Sequence, residues 1–239
     1  MREDHELLAR VRELRQRGSG PKQIARALGV SSSRAGALVR QVAQAEQADL
    51  APDRRAVVGC WVNAGWTSGL GMSAAPQWVA ADPLGAQDQP GTGGFAQILI
   101  ARQERASKVT VCGFLVDVYC LGVKNVIGPE VMGSGSVDAH VRTYYSAFDH
   151  PPLTIGIQQA QQIVHGAVAY ARAVGFGPAP GFDEAATHLG TPPPGLPAIS
   201  YGREGTPFYI AGPYDDAPAI VRKLEETCGP GQYHYYAQI

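Results

Sequence analysis

Asp117, Tyr119 and Lys124 lie in or just beyond the most apolar run of the chain, KVTVCGFLVDVYCLGV from Lys108 to Val123. A carboxylate within a buried strand must be ion-paired, hydrogen-bonded or protonated. A turn after Gly122 would carry the Lys124 ammonium toward Asp117, with Tyr119 completing a polar cluster that is a candidate site. The plainer reading is a structural carboxylate, ion-paired or capping nearby backbone amides. His165 flanks the apolar stripe of an expected helix, where a lone histidine more often packs and hydrogen-bonds than acts as base or ligand. His140 carries less weight, and neither an i, i+4 histidine pair nor a Gly-x-Ser-x-Gly elbow accompanies them. Cys60, Cys112, Cys120 and Cys228 form no Cys-x-x-Cys pair, so neither a disulfide framework nor a zinc site is expected. Cys112 and Cys120 read as small packing hydrophobes. Neither a metal nor a cofactor is expected, and if the chain is an enzyme, Asp117, Tyr119, Lys124 and His165 are its catalytic candidates.

Strands and helices must position these groups. Ala56 to Val62, Phe95 to Gln103 and Lys108 to Val123 are rich in β-branched and aromatic residues, and the last two, joined by ERAS, predict an antiparallel pair. Alternation along the last strand would set Val109, Val111 and Asp117 on one face and Cys112, Phe114 and Val116 on the other, both buried. The loop from Asn63 to Trp78 is expected to fold Trp66 and Trp78 onto the body, and Asp82 to Gly94 reads as a flexible excursion. The period then shifts to about 3.6, predicting helices over Val137 to Phe148 and Ile157 to Val174. A short helix over Asp183 to Leu189, a hairpin over Ala198 to Ala211 turning at Gly202 to Gly205, a helix over Ala217 to Cys228 and a strand over Tyr233 to Ile239 follow. Residues 56–239 therefore predict an α+β domain with a mainly antiparallel sheet packed by helices.

The amino-terminal stretch from Gly18 to Val42 has the spacing most specific to one task. Pro21 suits a first helical turn, Ile24, Ala25 and Leu28 form an apolar stripe, and Gly29 supplies the left-handed residue of a sharp turn. Ser31 can cap the next helix, whose Ala35, Leu38 and Val42 face inward while Ser32, Ser33, Arg34, Ala37 and Arg40 point elsewhere. Residues 4–17 predict an amphipathic supporting helix. An all-α unit over residues 1–46 would then be followed by a linker over 47–55, marked by polar residues and Pro52.

This segment resembles the helix-turn-helix family of bacterial DNA-binding proteins, through Ala25, Gly29, Ala35 and Leu38. The resemblance implies that the second helix enters the major groove, with Ser31, Ser32, Ser33, Arg34, Ala37 and Arg40 toward DNA and Lys22 and Gln23 beside them. Gly36 departs from that pattern, because glycine inside a helix costs about 1 kcal/mol relative to alanine. A helical hairpin used only for dimerisation or docking is the alternative for these residues.

Charge sets the scale of such binding. The formal net charge is -1, but residues 1–50 hold nine Lys or Arg against six Asp or Glu, leaving -4 for the rest. Affinity for duplex DNA is dominated by phosphate neutralisation, so one modestly basic copy would bind weakly and a homodimer is expected. The charged amino terminus and the lack of any long apolar run predict a cytoplasmic chain with no membrane partner. The expected function is a sequence-specific, double-stranded-DNA-binding transcriptional regulator whose larger domain dimerises and senses a small-molecule effector. The second expectation is an enzyme or nucleic-acid-processing protein with catalysis in the larger domain and a targeting head; an adaptor whose head binds protein is the third.

Overall fold

A computed structural model of the chain describes residues 2–48, 50–85, 93–195 and 197–237. The middle of the expected flexible excursion, residues 86–92, lies outside these, as do the last two residues of the expected terminal strand. The fold is α+β: eight α-helices and a five-stranded antiparallel sheet are present among the described residues. None of these helices is long and apolar enough to cross a membrane.

Three helices come first, α1 (Arg2–Gln16), α2 (Pro21–Leu28) and α3 (Ser32–Ala48). They bury a cluster of their own made of Val11, Ile24, Ala25, Ala35, Leu38 and Val42. Helix α3 runs on into the first two residues of the expected linker. QAEQA continues the helix to Ala48, because Ala, Gln and Glu are good helix formers, and Glu46 near its end faces Arg15 at 2.8 Å and Arg12 at 3.9 Å across to α1. Helix α3 also lies against the sheet. A short 3-10 turn at Pro52–Arg54 follows.

The sheet is built from β1 (Val57–Val62), β2 (Phe95–Arg105), β3 (Lys108–Asp117), β4 (Gly122–Gly133) and β5 (Leu153–Thr154), in the order β4-β3-β2-β1-β5. Alternation serves both faces, as the β-branched pattern of β3 requires. Cys112, Phe114 and Val116 face α6 (Ile157–Ala173) and α7 (Phe182–Leu189), while Leu99, Ala101, Val109 and Val111 face α5 (Val137–Tyr144) and Tyr145. The single strand expected over Lys108 to Val123 is two strands. Asp117 Oδ1 accepts the N–H groups of Tyr119 and Cys120, each at 2.9 Å, which diverts the chain into a turn and returns it as β4. The sequence reading had no β4. Its Gly128, Pro129 and Glu130 break the apolar pattern, and they are tolerated because this strand is an edge.

Beyond the sheet, α4 (Pro76–Ala81) sits in the tryptophan loop; Trp66 is fully buried and its ring lies 6.4 Å from that of Trp78. Asp82 is buried rather than part of a loose excursion: it accepts from the amides of Gly65, Thr67 and Leu84 and from the Thr67 hydroxyl. The expected hairpin over Ala198 to Ala211 is also corrected. Only the tight turn remains, as a bridge between Arg203 and Thr206, whereas β6 (Phe208–Ile210) pairs in parallel with β7 (His234–Tyr236). Helix α8 (Ala217–Cys228) closes the far end, where Leu224 packs with Tyr209, Leu121 and Cys120.

Arg102 on β2 is a buried guanidinium spent on backbone. Its Nε donates to the His188 carbonyl, Nη2 to the Leu189 carbonyl at 3.2 Å, and Nη1 to the Arg55 carbonyl at 2.7 Å. It thus caps the end of α7 and fixes the segment that enters β1. Carbonyls at a helix end lack intrahelical donors, which is the need it meets.

A Cβ added at Gly36 in α3 would fit without a clash: its nearest neighbour, its own helix backbone aside, is the Arg40 guanidinium at 3.6 Å, an ordinary contact. Gly36→Ala is therefore expected to stabilise the amino-terminal helices by about 1 kcal/mol. Urea unfolding followed by helical circular dichroism checks this, and a loss of stability would contradict the packing described.

Candidate nucleic-acid interface

The turn between α2 and α3 follows from local chemistry. Pro21 opens α2, and the Gly20 amide donates to Gln23 Oε1 at 2.8 Å, so the first turn closes on its own side chain. Gly29 ends the helix at φ +65°, donating to the Ala25 carbonyl, and Val30 tucks into the cluster beneath. Ser31 Oγ accepts the Arg34 amide at 3.2 Å, an N-cap for α3.

That geometry sorts the residues of α3. Ala35, Leu38 and Val42 are 0, 3 and 1% exposed, whereas Ser31, Ser32, Ser33, Arg34, Ala37 and Arg40 are exposed. Lys22 and Gln23 are exposed on α2, although the Gln23 side-chain oxygen is turned back onto the helix start. Arg26 escaped the sequence reading. It stands one turn beyond Lys22 and lines with it, Gln23 and Ala27 an open cleft of about 400 Å³. The signal was the i, i+4 spacing of two cations.

Electrostatics separate this side from the rest of the bundle. Arg10 and Arg17 of α1 both reach Glu13, each at 2.6 Å, and Arg12 and Arg15 face Glu46. From Gly18 to Ala45, by contrast, there are four cations and no acid. Lys22, Arg26 and Arg40 form no ion pair among the described residues. Like charges one helical turn apart, as at Lys22 and Arg26, cost a few tenths of a kcal/mol unless an anion lies between them. The outward side of α2 and α3 therefore carries positive charge that the bundle does not itself neutralise.

The catalytic candidates are not brought together as one cluster. Lys124 turns to Asp215 at 2.6 Å, and Asp215 also accepts from the Tyr209 hydroxyl and the Gly212 amide. The Tyr119 hydroxyl donates to the Ser68 carbonyl at 2.7 Å, and His165 Nε2 donates to the Gly190 carbonyl at 2.8 Å. Asp117 is the amide-capping carboxylate of the plainer reading. Burial pushes the Cys60 and Cys112 thiols up to about 12 and raises that of Cys120 as well, so all three stay protonated and pack as hydrophobes. Among the described residues no three His, Cys, Asp or Glu side chains gather as metal ligands would.

Asp117 still has a measurable consequence. Burial pushes its carboxyl from 3.8 up to about 6, against the opposing pull of the Tyr119 and Cys120 amides and the Lys124 charge, and Oδ2 is buried without a hydrogen-bond partner. A folded value above the unfolded one means the native state holds the proton more tightly. The resulting stability is fully present below about pH 4 and is lost as pH rises through about 6. Asp117→Asn, which cannot ionise, is expected to abolish this decline and to be more stable than the parent at pH 7.5 by about 1–3 kcal/mol. Urea midpoints from pH 4 to 8 read the effect, and parallel curves for the two proteins would contradict it.

Comparison of the chain with protein-family models, with curated proteins and with solved structures finds no match.

Proposed function

We propose that the chain is a sequence-specific DNA-binding protein, a transcriptional regulator that acts in the cytoplasm as a homodimer. In this reading residues 1–46 are a helix-turn-helix head and residues 56–239 a separate body that holds two heads at a fixed spacing. The carrying observation is the division of α3, with Ala35, Leu38 and Val42 buried and Ser32, Ser33, Arg34 and Arg40 exposed beyond a glycine-hinged turn. Residues at the start of such a helix reach base edges when it lies in the major groove. The acid-free stretch from Gly18 to Ala45 supplies the phosphate contacts that dominate affinity.

Selection of bound fragments from a random duplex pool tests this. A two-fold symmetric sequence with half-site centres about 10 base pairs apart, or a multiple of that, is expected. An unenriched pool would overturn it.

A further inference from the structure

A groove of about 520 Å³ opens between α1 and the turn that joins α2 to α3, lined by Glu6, Leu7, Arg10, Leu28 and Val30. Leu7, Leu28 and Val30 are half-buried: one side of each packs on the helical cluster, and the other is left in the groove.

Glu6 and Arg10 belong to a longer row. Glu6, Arg10, Glu13 and Arg17 recur at intervals of four, three and four residues, which keeps them on one side of a helix with about 3.6 residues per turn. Their signs alternate. Within the chain Glu13 serves both arginines, each at 2.6 Å, and Glu6 forms no ion pair among the described residues. The Arg10 and Arg17 side chains remain 59 and 67% exposed, and pairs so exposed contribute little to stability. A guanidinium also carries more donors than one carboxylate oxygen can use, so these arginines keep capacity for a second acid.

A row ordered acid, base, acid, base is complementary to itself in one direction. Laid antiparallel on a second copy, every acid meets a base: Glu6 faces the partner's Arg17, and Arg10 faces the partner's Glu13. Laid parallel and in register, like charges meet. Antiparallel is also how a helix meets itself across a two-fold axis perpendicular to it, where the same patch serves both subunits. We propose that α1 is a contact between two copies of this chain, its row from Glu6 to Arg17 laid antiparallel on the same row of the partner. The groove then receives the stem of the partner's Arg17, which covers Leu7, Leu28 and Val30 while its guanidinium reaches Glu6. The contact rests on the homodimer of the DNA-binding reading and names the surface of the head that joins its partner.

Charge reversal followed by mixing tests it. Glu6→Arg with Glu13→Arg makes the row wholly basic, and Arg10→Glu with Arg17→Glu makes it wholly acidic. None of the four residues belongs to the apolar cluster, so both variants are expected to keep the parent's helical circular dichroism. Sedimentation equilibrium of the full chain is expected to show a dimer for the parent and self-association at least about tenfold weaker for each variant. An equimolar mixture of the two variants is expected to associate at least about tenfold more tightly than either alone, because each basic row then meets an acidic one. Mixing does not repair a misfolded chain, so this recovery separates a lost contact from lost folding. Variants that dimerise as the parent does, or a mixture no tighter than its components, overturn the contact and leave the homodimer standing. A parent that stays monomeric at every concentration overturns both.

Discussion

Replacing Arg34 and Arg40 together by alanine is expected to weaken duplex binding by about 2–4 kcal/mol, roughly 30- to 1,000-fold. Both side chains are exposed, and neither is part of the cluster that holds α1, α2 and α3 together. The folded state is therefore expected to be unchanged. The two contributions separate in the salt dependence. Each phosphate contact removed lowers the slope of log affinity against log salt by about 0.9, whereas a lost base contact leaves the slope and relaxes the preferred sequence. Fluorescence anisotropy on the selected duplex at several salt concentrations measures both. A double variant that binds as tightly as the parent would remove α3 from the interface.

Arg102→Ala is expected to be the most destabilising single change in the body, at about 3–5 kcal/mol. It strands the carbonyls of His188, Leu189 and Arg55 in a buried setting and opens a cavity where the guanidinium lay. A buried polar group left without its partner costs about 1–3 kcal/mol, and the lost side-chain volume adds to this. Arg102→Met keeps most of the volume and isolates the hydrogen-bonding share, so it is expected to fall between the parent and Arg102→Ala. Urea midpoints shifting in that order at unchanged m-values are the expected record. Equal midpoints for the three proteins would mean that the carbonyls find other donors. These changes act on the sheet and α7, so duplex binding below the unfolding transition is expected to persist.

Signals carried by local spacing were legible in the sequence. Pro21, Gly29 and Ser31 each act within a few residues, and the turn they predict is the turn observed. Long amphipathic stripes were equally plain, as in α6 and α8, whose bounds differ from expectation by a residue at most. What escaped depends on partners far along the chain. Nothing near Lys124 announces Asp215, some ninety residues on, and the adjacent Asp117 was the more obvious choice. Nothing in the expected strand Phe95 to Gln103 announces the acceptors of Arg102, which come from α7 and from Arg55. Strand β4 was hidden because an edge strand tolerates the glycine and proline that sequence reading treats as breaks. At the candidate interface the outward residues of α3 could be named in advance. Arg26 was legible too, through its i, i+4 spacing from Lys22 on α2, but it lies outside the turn motif on which the reading was built.

The most direct test of the central claim is position-resolved cross-linking. The buried cysteines Cys60, Cys112 and Cys120 stay in place, and the more accessible Cys228 is replaced by serine. A photo-reactive group is then attached to Ser33→Cys on α3 or, as a control, to Asp138→Cys on α5. On the selected duplex, the group at Ser33 is predicted to label bases within the half-site, and the group at Asp138 to label none. Labelling from Asp138 with none from Ser33 would place DNA on another face and contradict the account.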